Sequence, residues 1–272
     1  MEKVHIIIPT YNRAHTIVEC INSVIAQTFS DWKLTIIDNN SSDQTRALIK
    51  EKFQKYLDKK IFYIKYSETL PIIQNWNRCL SHLNSSKYFK LLWSDDTLEK
   101  DFLKIGVGLL DNSSSEFVGF CCALNYVNLE TKKILKKRKY GFFGQELWAT
   151  FFYKNILGSP TPQLLKTNFF TELKFEEKNR YAADMIYAAY PYFQSKRYIY
   201  SSSPLANLQL SSDTETSNIY GTNLMTANRK DFRDYVIKNT NNKMLVAILK
   251  FLNLGLFLVE LIYFKFRKSF KL

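Results

Sequence analysis

Strand and helix alternate four times before Asp95, and that rhythm constrains the fold of this chain more than any other feature. The first apolar run, Val4 to Ile8 in "VHIIIPTYNR", is continuous and is broken by Pro9. Such a run reads as a buried parallel strand that ends in a polar loop. In the next segment, "HTIVECINSVIAQT", Ile17, Ile21, Val24 and Ile25 share one helical face. A second strand, "KLTIID", ends in Asp38 and leads into "NNSSDQTRALIKEKF", where Ser41 or Ser42 is placed to cap a second helix. A third strand, "IFYIKY", begins at Ile61, and "QNWNRCL" reads as a helix. Alternation of this kind predicts an α/β fold with a mostly parallel central sheet, flanked by helices and joined by right-handed crossovers.

The fourth strand, within Lys87 to Trp93 of "KYFKLLWSDDTL", ends in the pair Asp95-Asp96. Open α/β sheets bind ligands at the carboxyl ends of their strands. Adjacent carboxylates repel there unless a cation or hydroxyl groups occupy the space between them. Hard oxygen donors suit Mg2+ or Mn2+. The same Asp-Asp-Thr stretch is also a good cap for a helix in "LEKDFLKIGVGLL", and the pair alone does not decide between the two roles.

Four elements taken together resemble the family-2 glycosyltransferases of the GT-A, or nucleotide-diphospho-sugar transferase, fold. They are "PTYNR" after the first strand, Asp38 after the second, "QNWNRCL" on a helix and "SDD" after the fourth. Their order and spacing match over residues 1 to about 112 and more loosely to about 210. The resemblance implies a donor site built from Pro9, Thr10, Tyr11, Arg13, Asp38, Asn77, Arg78 and Asp95, with Asp96 holding an Mg2+ or Mn2+ ion against the diphosphate. Tyr11 either stacks on the base or packs on the following helix. Asp38 either accepts hydrogen bonds from base or ribose or caps its own turn. Arg78 either faces the phosphates or is an exposed helix arginine.

Two departures bear on the metal. Many relatives carry an acid at the position of Trp93, and many carry an Arg-x-His element where this chain reads "NLQLSSDTETS". Metal dependence is therefore an open expectation. Inverting sugar transfer also needs a general base for the acceptor hydroxyl. Asp184, a lone acid in the apolar, aromatic pattern "RYAADMIYAAYPYF", matches the family position, with Glu176 and Glu177 as its neighbours in sequence. An acid in a first helical turn is also favoured by the helix dipole without any catalytic role. Upstream, "NILGSPTPQLL" is expected to form the acceptor-side loop, its backbone fixed by Pro160 and Pro162.

Other chemistries lack their signatures. The chain has no G-x-G-x-x-G and no P-loop motif. Cys20, Cys79, Cys121 and Cys122 have no zinc spacing, and His5, His15 and His82 are scattered. Buried reduced thiols and the lack of a signal peptide lead to the expectation of a cytoplasmic location.

The expected organisation is a catalytic domain over 1–210, a linker with short helices over 211–243, and a helical tail over 244–272. Within the catalytic domain, 1–112 is the nucleotide-sugar half and 113–210 the acceptor half. The tail segment "MLVAILKFLNLGLFLVELIYF" is strongly apolar, yet Lys250, Asn253 and Glu260 form one polar stripe along it. A helix lying in the membrane interface fits that pattern first, a helix docked on the domain second and a spanning helix third. Net charge is +13, and residues 229–272 hold ten Lys and Arg against three acids. A second basic cluster, "KKILKKRK", spans 132–139 and also suits a solvated hairpin. Basic stretches beside an apolar helix are attracted to anionic lipid, and no nucleic-acid motif accompanies them. The expectation is a peripheral enzyme at the inner face of the cytoplasmic membrane. It would pass a sugar from a nucleotide-sugar to a lipid-linked or oligosaccharide acceptor in surface-polysaccharide synthesis. A catalytically silent nucleotide-sugar-binding or scaffold subunit is the alternative.

Overall fold

The computed structural model describes residues 2–83, 85–138, 151, 159–179, 182–211, 223–241 and 243–269, the side chains of 179, 223–228 and 257–269 excepted. Its first half follows the expected rhythm. Strands β1 (Val4–Thr10), β2 (Trp32–Asp38), β3 (Ile61–Lys65) and β4 (Tyr88–Leu91) are separated by α1 (Ile17–Ile25), α2 (Thr45–Phe53) and α3 (Ile72–Leu80). All pairings among these strands are parallel, with β1 between β2 and β4.

Beyond residue 96 the sheet becomes mixed. The additional elements are β5 (Thr97–Leu98), α4 (Phe102–Asp111), β6 (Phe117–Asn128), β7 (Ile134–Arg138) and β8 (Gln163–Lys166). Two short helices follow, α5 (Thr167–Phe170) and a 3-10 turn at Glu177–Asn179, before α6 (Ala183–Phe193) and β9 (Arg197–Leu210). The nine strands among the described residues form one sheet of order β3-β2-β1-β4-β8-β6-β9-β5, with β7 added to β6. Strand β8 runs antiparallel to both β4 and β6, while β6 and β9 are parallel along most of their length.

Alternation along β1 divides the core. Val4, Ile6 and Ile8 face α1, α2 and α4 on one side, and Ile7 joins Phe89, Leu91 and the α3 and α6 side chains on the other. Gly106 lets α4 settle against the sheet, because a Cβ there would lie 2.8 Å from the Phe120 ring. All four cysteines are buried, as expected.

Two local expectations need correction. The Asp95-Asp96 pair does not cap a helix: Thr97 and Leu98 pair with Asn207 and Ala206 of β9, and α4 begins only at Phe102. Neither Ser41 nor Ser42 caps α2. Gln44 stands at the N-cap without a side-chain bond, and Asp43, one residue earlier, accepts the Thr45 N–H on its Oδ1 at 3.0 Å. Nearby, the Ser41 hydroxyl accepts the backbone N–H of Asn12 instead.

Two further helices, α7 (Asn223–Lys238) and α8 (Lys243–Ser269), close the chain. Phe232, Val236 and Ile237 of α7 and Leu249 of α8 share a small core with Met185, Ile186 and Ala189 of α6. No helix among the described residues is long and apolar enough to cross a membrane. Of the expected polar stripe, Lys250 is exposed, and the Glu260 side chain lies outside the described residues. Asn253 turns inward, accepting the Nε–H of buried Arg233 at 2.7 Å and donating to Asp234 at 2.8 Å.

Candidate active site

The carboxyl ends of β1, β2 and β4 lie on one edge of the sheet because these strands are parallel neighbours, with Thr10 in register with Asp38. The loops after β1 and β2 are tied into a single platform. Asn12 N–H donates to Ser41 Oγ at 2.9 Å, Ser42 N–H to Asn12 Oδ1 at 2.9 Å, Arg13 N–H to Thr45 Oγ1 at 2.9 Å and Ala14 N–H to Asp43 Oδ2 at 3.0 Å. Asn12 and Asn40 take left-handed backbone angles, φ 52° and 69°, which asparagine tolerates better than most residues. The motifs "PTYNR" and "NNSSDQT" are therefore two halves of one construction.

On this platform Tyr11 is 45% exposed, so it is not packed away against the following helix. Pro9 belongs to buried β1, and Thr10 is buried with a hydroxyl that has no partner among the described residues. Arg13 bends back on its own loop, with Nη1 at 3.4 Å from the Tyr11 carbonyl oxygen and 3.3 Å from that of Asn12. Asp38 is fully buried. It accepts the Ser41 N–H at 2.7 Å and the Tyr63 hydroxyl, and burial together with that contact pushes the Tyr63 phenol upward.

Arg78 is half-buried, not an exposed helix arginine. Its guanidinium stacks 3.8 Å over the Tyr66 ring and donates to Asn75 Oδ1 at 2.7 Å and to Asn39 Oδ1, while its buried Nε has no partner among the described residues. Asn39 also clasps Leu70, with its amide bonded to both the N–H and the C=O of that residue. The Asn77 amide is occupied elsewhere, exchanging two hydrogen bonds with the Phe175 backbone at 3.0 and 2.8 Å.

The two aspartates after β4 have different surroundings. Asp96 is 2% exposed and both its oxygens are engaged: one accepts the Thr161 hydroxyl and the other the Gln209 N–H at 3.1 Å. Burial, and then the neighbouring charge of Asp95, raise its pKa; the two hydrogen bonds oppose the rise. Asp95 is half-buried and the more accessible of the two. Beneath them, fully buried Lys90 donates to the Leu91 carbonyl at 2.6 Å and the Pro160 carbonyl at 2.9 Å, and burial brings its pKa down to about 7. Pro160 and Thr161 thus connect the loop before β8 to the aspartate turn; residues 155–158 of the expected acceptor loop, and 212–217 of the late element without His, lie outside the described residues.

Trp93, which stands where many relatives have an acid, has a structural use. Its ring stacks on Trp76 of α3 at 4.6 Å, Trp76 meets Phe175 edge-on at 5.2 Å, and Phe175 stacks on Tyr187 of α6 at 4.3 Å. This aromatic wall links the aspartate turn to the start of α6. There Asp184 is half-buried in the first turn, with Oδ1 accepting the Met185 N–H at 2.8 Å. Glu176 and Glu177 are exposed, and Glu177 accepts a hydrogen bond from Gln74. Sequence reading did not single out Thr161, Lys90, Tyr63 or the Trp76–Trp93 stack. The one available signal was a lysine inside the apolar run "YFKLLW".

Residues 5–173, more than half of the chain, match the model of glycosyl transferase family 2, and the chain belongs to that family. It is 30% identical over 115 residues to the Escherichia coli UDP-Glc:alpha-D-GlcNAc-diphosphoundecaprenol beta-1,3-glucosyltransferase WfgD, covering 42% of this chain and 44% of that protein. It is also 30% identical over 101 residues to the putative teichuronic acid biosynthesis glycosyltransferase TuaG of Bacillus subtilis, covering 37% and 39%. The chain spans less than half the length of the first curated relatives it matches. Among solved structures, S. aureus TarS with UDP-GlcNAc matches with a TM-score of 0.68 at 19% identity, over 89% of this chain and 68% of that one. The mannosyltransferase PcManGT of Pyrobaculum calidifontis, in complex with GDP-Man and Mn2+, matches with a TM-score of 0.62 at 16% identity, over 92% and 68%. The fold is GT-A.

Proposed function

We propose that this chain transfers a sugar from a nucleoside-diphosphate sugar to a lipid-linked or glycan acceptor, with inversion, in the assembly of a bacterial surface polysaccharide. The observation that carries this reading is the placement of accessible Asp95 on the same sheet edge as the knitted β1 and β2 loops. The platform offers Tyr11 for the base, with Thr10 and Arg78 each holding a buried polar atom in reserve. Asp95 suits the diphosphate side, and Asp96, with both oxygens used internally, holds the turn that presents it.

Among the described residues no three His, Cys, Asp or Glu stand together as a metal cage. A divalent ion recruited with its substrate needs less, because Mg2+ and its kin take one or two carboxylates and complete their shell from phosphate and water. The resemblance assigns this ion to Asp96, but both Asp96 oxygens are engaged within the chain, and Asp95 is proposed in its place as the protein ligand of Mg2+ or Mn2+. When bound, the ion would neutralise charge on the departing diphosphate. Asp184 removes the proton from the acceptor hydroxyl as that oxygen attacks the anomeric carbon. The bond to the diphosphate breaks, its electron pair leaves with the nucleoside diphosphate, and the anomeric configuration inverts.

The relatives named for undecaprenol-linked and teichuronic acid synthesis support a membrane-held acceptor, and the basic tail supports a peripheral location at the inner membrane face. The experiment is a panel of nucleotide-sugars with and without Mn2+, read by thermal shift and by release of nucleoside diphosphate. One nucleotide class should raise the melting temperature and be slowly hydrolysed. Binding without any turnover, even with lipid-linked acceptors, would replace the enzyme by a nucleotide-sugar-binding subunit.

A further inference from the structure

Helix α8 is docked by one face and bare on the other. Its inner face is fixed: Leu249 is buried in the α6–α7 core, Leu245 and Val246 pack beside it, and Asn253 is held by Arg233 and Asp234. On the outer face, Met244, Ala247, Ile248, Phe251, Leu254 and Gly255 are all exposed and recur at three- and four-residue steps. Phe251 is 79% exposed and Met244 75%, unlike the scattered single apolar residues of an ordinary surface. In the sequence, Leu258 and Ile262 continue the same spacing.

We infer that this outer stripe of α8 is a docking surface for an anionic lipid bilayer, with the helix lying flat and the catalytic domain suspended from its inner face. Charge selects this occupant. Lys243 and Lys250 are exposed at the edge of the stripe, and the sequence adds Lys265, Arg267, Lys268 and Lys271 beyond it. The nearby acid Asp234 is engaged by Lys230 at 2.6 Å and by Asn253, on the side facing α7. An apolar strip with lysines along its border matches acyl chains beneath acidic headgroups. The helix has 27 residues and is about 40 Å long at 1.5 Å per residue. The inference rests on the proposed lipid-linked acceptor, and it adds which face of the molecule meets the membrane. It also inverts the expected use of the polar positions: Asn253 joins the helix to the protein.

The test is sedimentation of the full chain with vesicles of phosphatidylcholine alone or mixed with phosphatidylglycerol, at low and high salt. Wild type should bind the anionic vesicles, more weakly as salt rises. The variant Ile248→Glu/Phe251→Glu should bind roughly 10- to 100-fold less, since two large side chains no longer enter the acyl region. Its melting temperature and its hydrolysis of free nucleotide-sugar should match wild type. The pair Lys243→Glu/Lys250→Glu should lose the preference for anionic vesicles while remaining folded. Failure of wild type to bind phosphatidylglycerol vesicles, or unchanged binding by the glutamate variant, would overturn the inference. So would a wild-type dimer abolished by Ile248→Glu/Phe251→Glu, because a second copy would then be the occupant. Vesicle binding with this pattern, in protein that hydrolyses no nucleotide-sugar, would sink the transferase reading and leave the surface standing.

Discussion

Replacing Lys90 with Met should remove a pH dependence that only a buried, shifted lysine produces. Lys90 is wholly enclosed, and burial lowers its pKa from 10.5 to about 7. Between those two values the unfolded chain binds a proton that the folded chain does not. The contribution of Lys90 to stability therefore rises with pH from about 7 towards 10.5 and is constant below 7. The slope approaches about 1.4 kcal/mol per pH unit once the folded lysine is deprotonated, so wild type should gain about 2 kcal/mol on the variant between pH 7 and pH 9. Losing the donor to the Leu91 and Pro160 carbonyls adds a penalty of about 1–3 kcal/mol, which shifts the difference curve without tilting it. Urea denaturation of both proteins at half-unit pH steps measures the difference and cancels the titration of Cys20, Cys122 and the tyrosines. A flat difference across pH 7 to 9 would mean that Lys90 titrates as an ordinary lysine, and the account of its burial would be wrong.

Asp184→Asn should lower turnover by roughly 10²- to 10⁴-fold with donor affinity nearly unchanged, as for a lost general base; isothermal titration beside a transfer assay separates the two, and a parallel fall in donor affinity would move Asp184 to the donor side. Tyr63→Phe should cost about 1–3 kcal/mol in urea denaturation, because one oxygen of buried Asp38 loses its donor; an unchanged midpoint would show that the contact carries no stability.

Contiguous patterns were what the sequence disclosed. The runs "VHIIIPT" and "KLTIID" read as strands because a two-sided parallel sheet buries every position, and both are buried almost throughout. The start of α6 was legible because the pattern "AADMIYAAY" reads as a helix with an acid in its first turn, and the helix does begin at Ala183. The supporting contacts were not legible. Thr161 lies 65 residues from Asp96 and Gln209 lies 113 residues from it, so nothing local announces either partner. The same holds for Asn253. Read alone it belongs to a polar stripe; bonded to Arg233, 20 residues earlier, it marks the inner face of α8. Trp93 looked like a gap in an acidic motif, while its stacking on Trp76 depends on where α3 packs. In each case a tertiary neighbour decides the role that local pattern left open.

The central claim is that Asp95 meets the diphosphate and its metal while Asp96 supports the turn. Titration of the nucleoside diphosphate into Asp95→Asn and Asp96→Asn, with Mn2+ and with chelator, tests this most directly. The account predicts that Asp95→Asn keeps its melting temperature and loses the Mn2+-dependent gain in affinity, whereas Asp96→Asn first loses stability. A full Mn2+-dependent gain persisting in folded Asp95→Asn, and vanishing in folded Asp96→Asn, would contradict it.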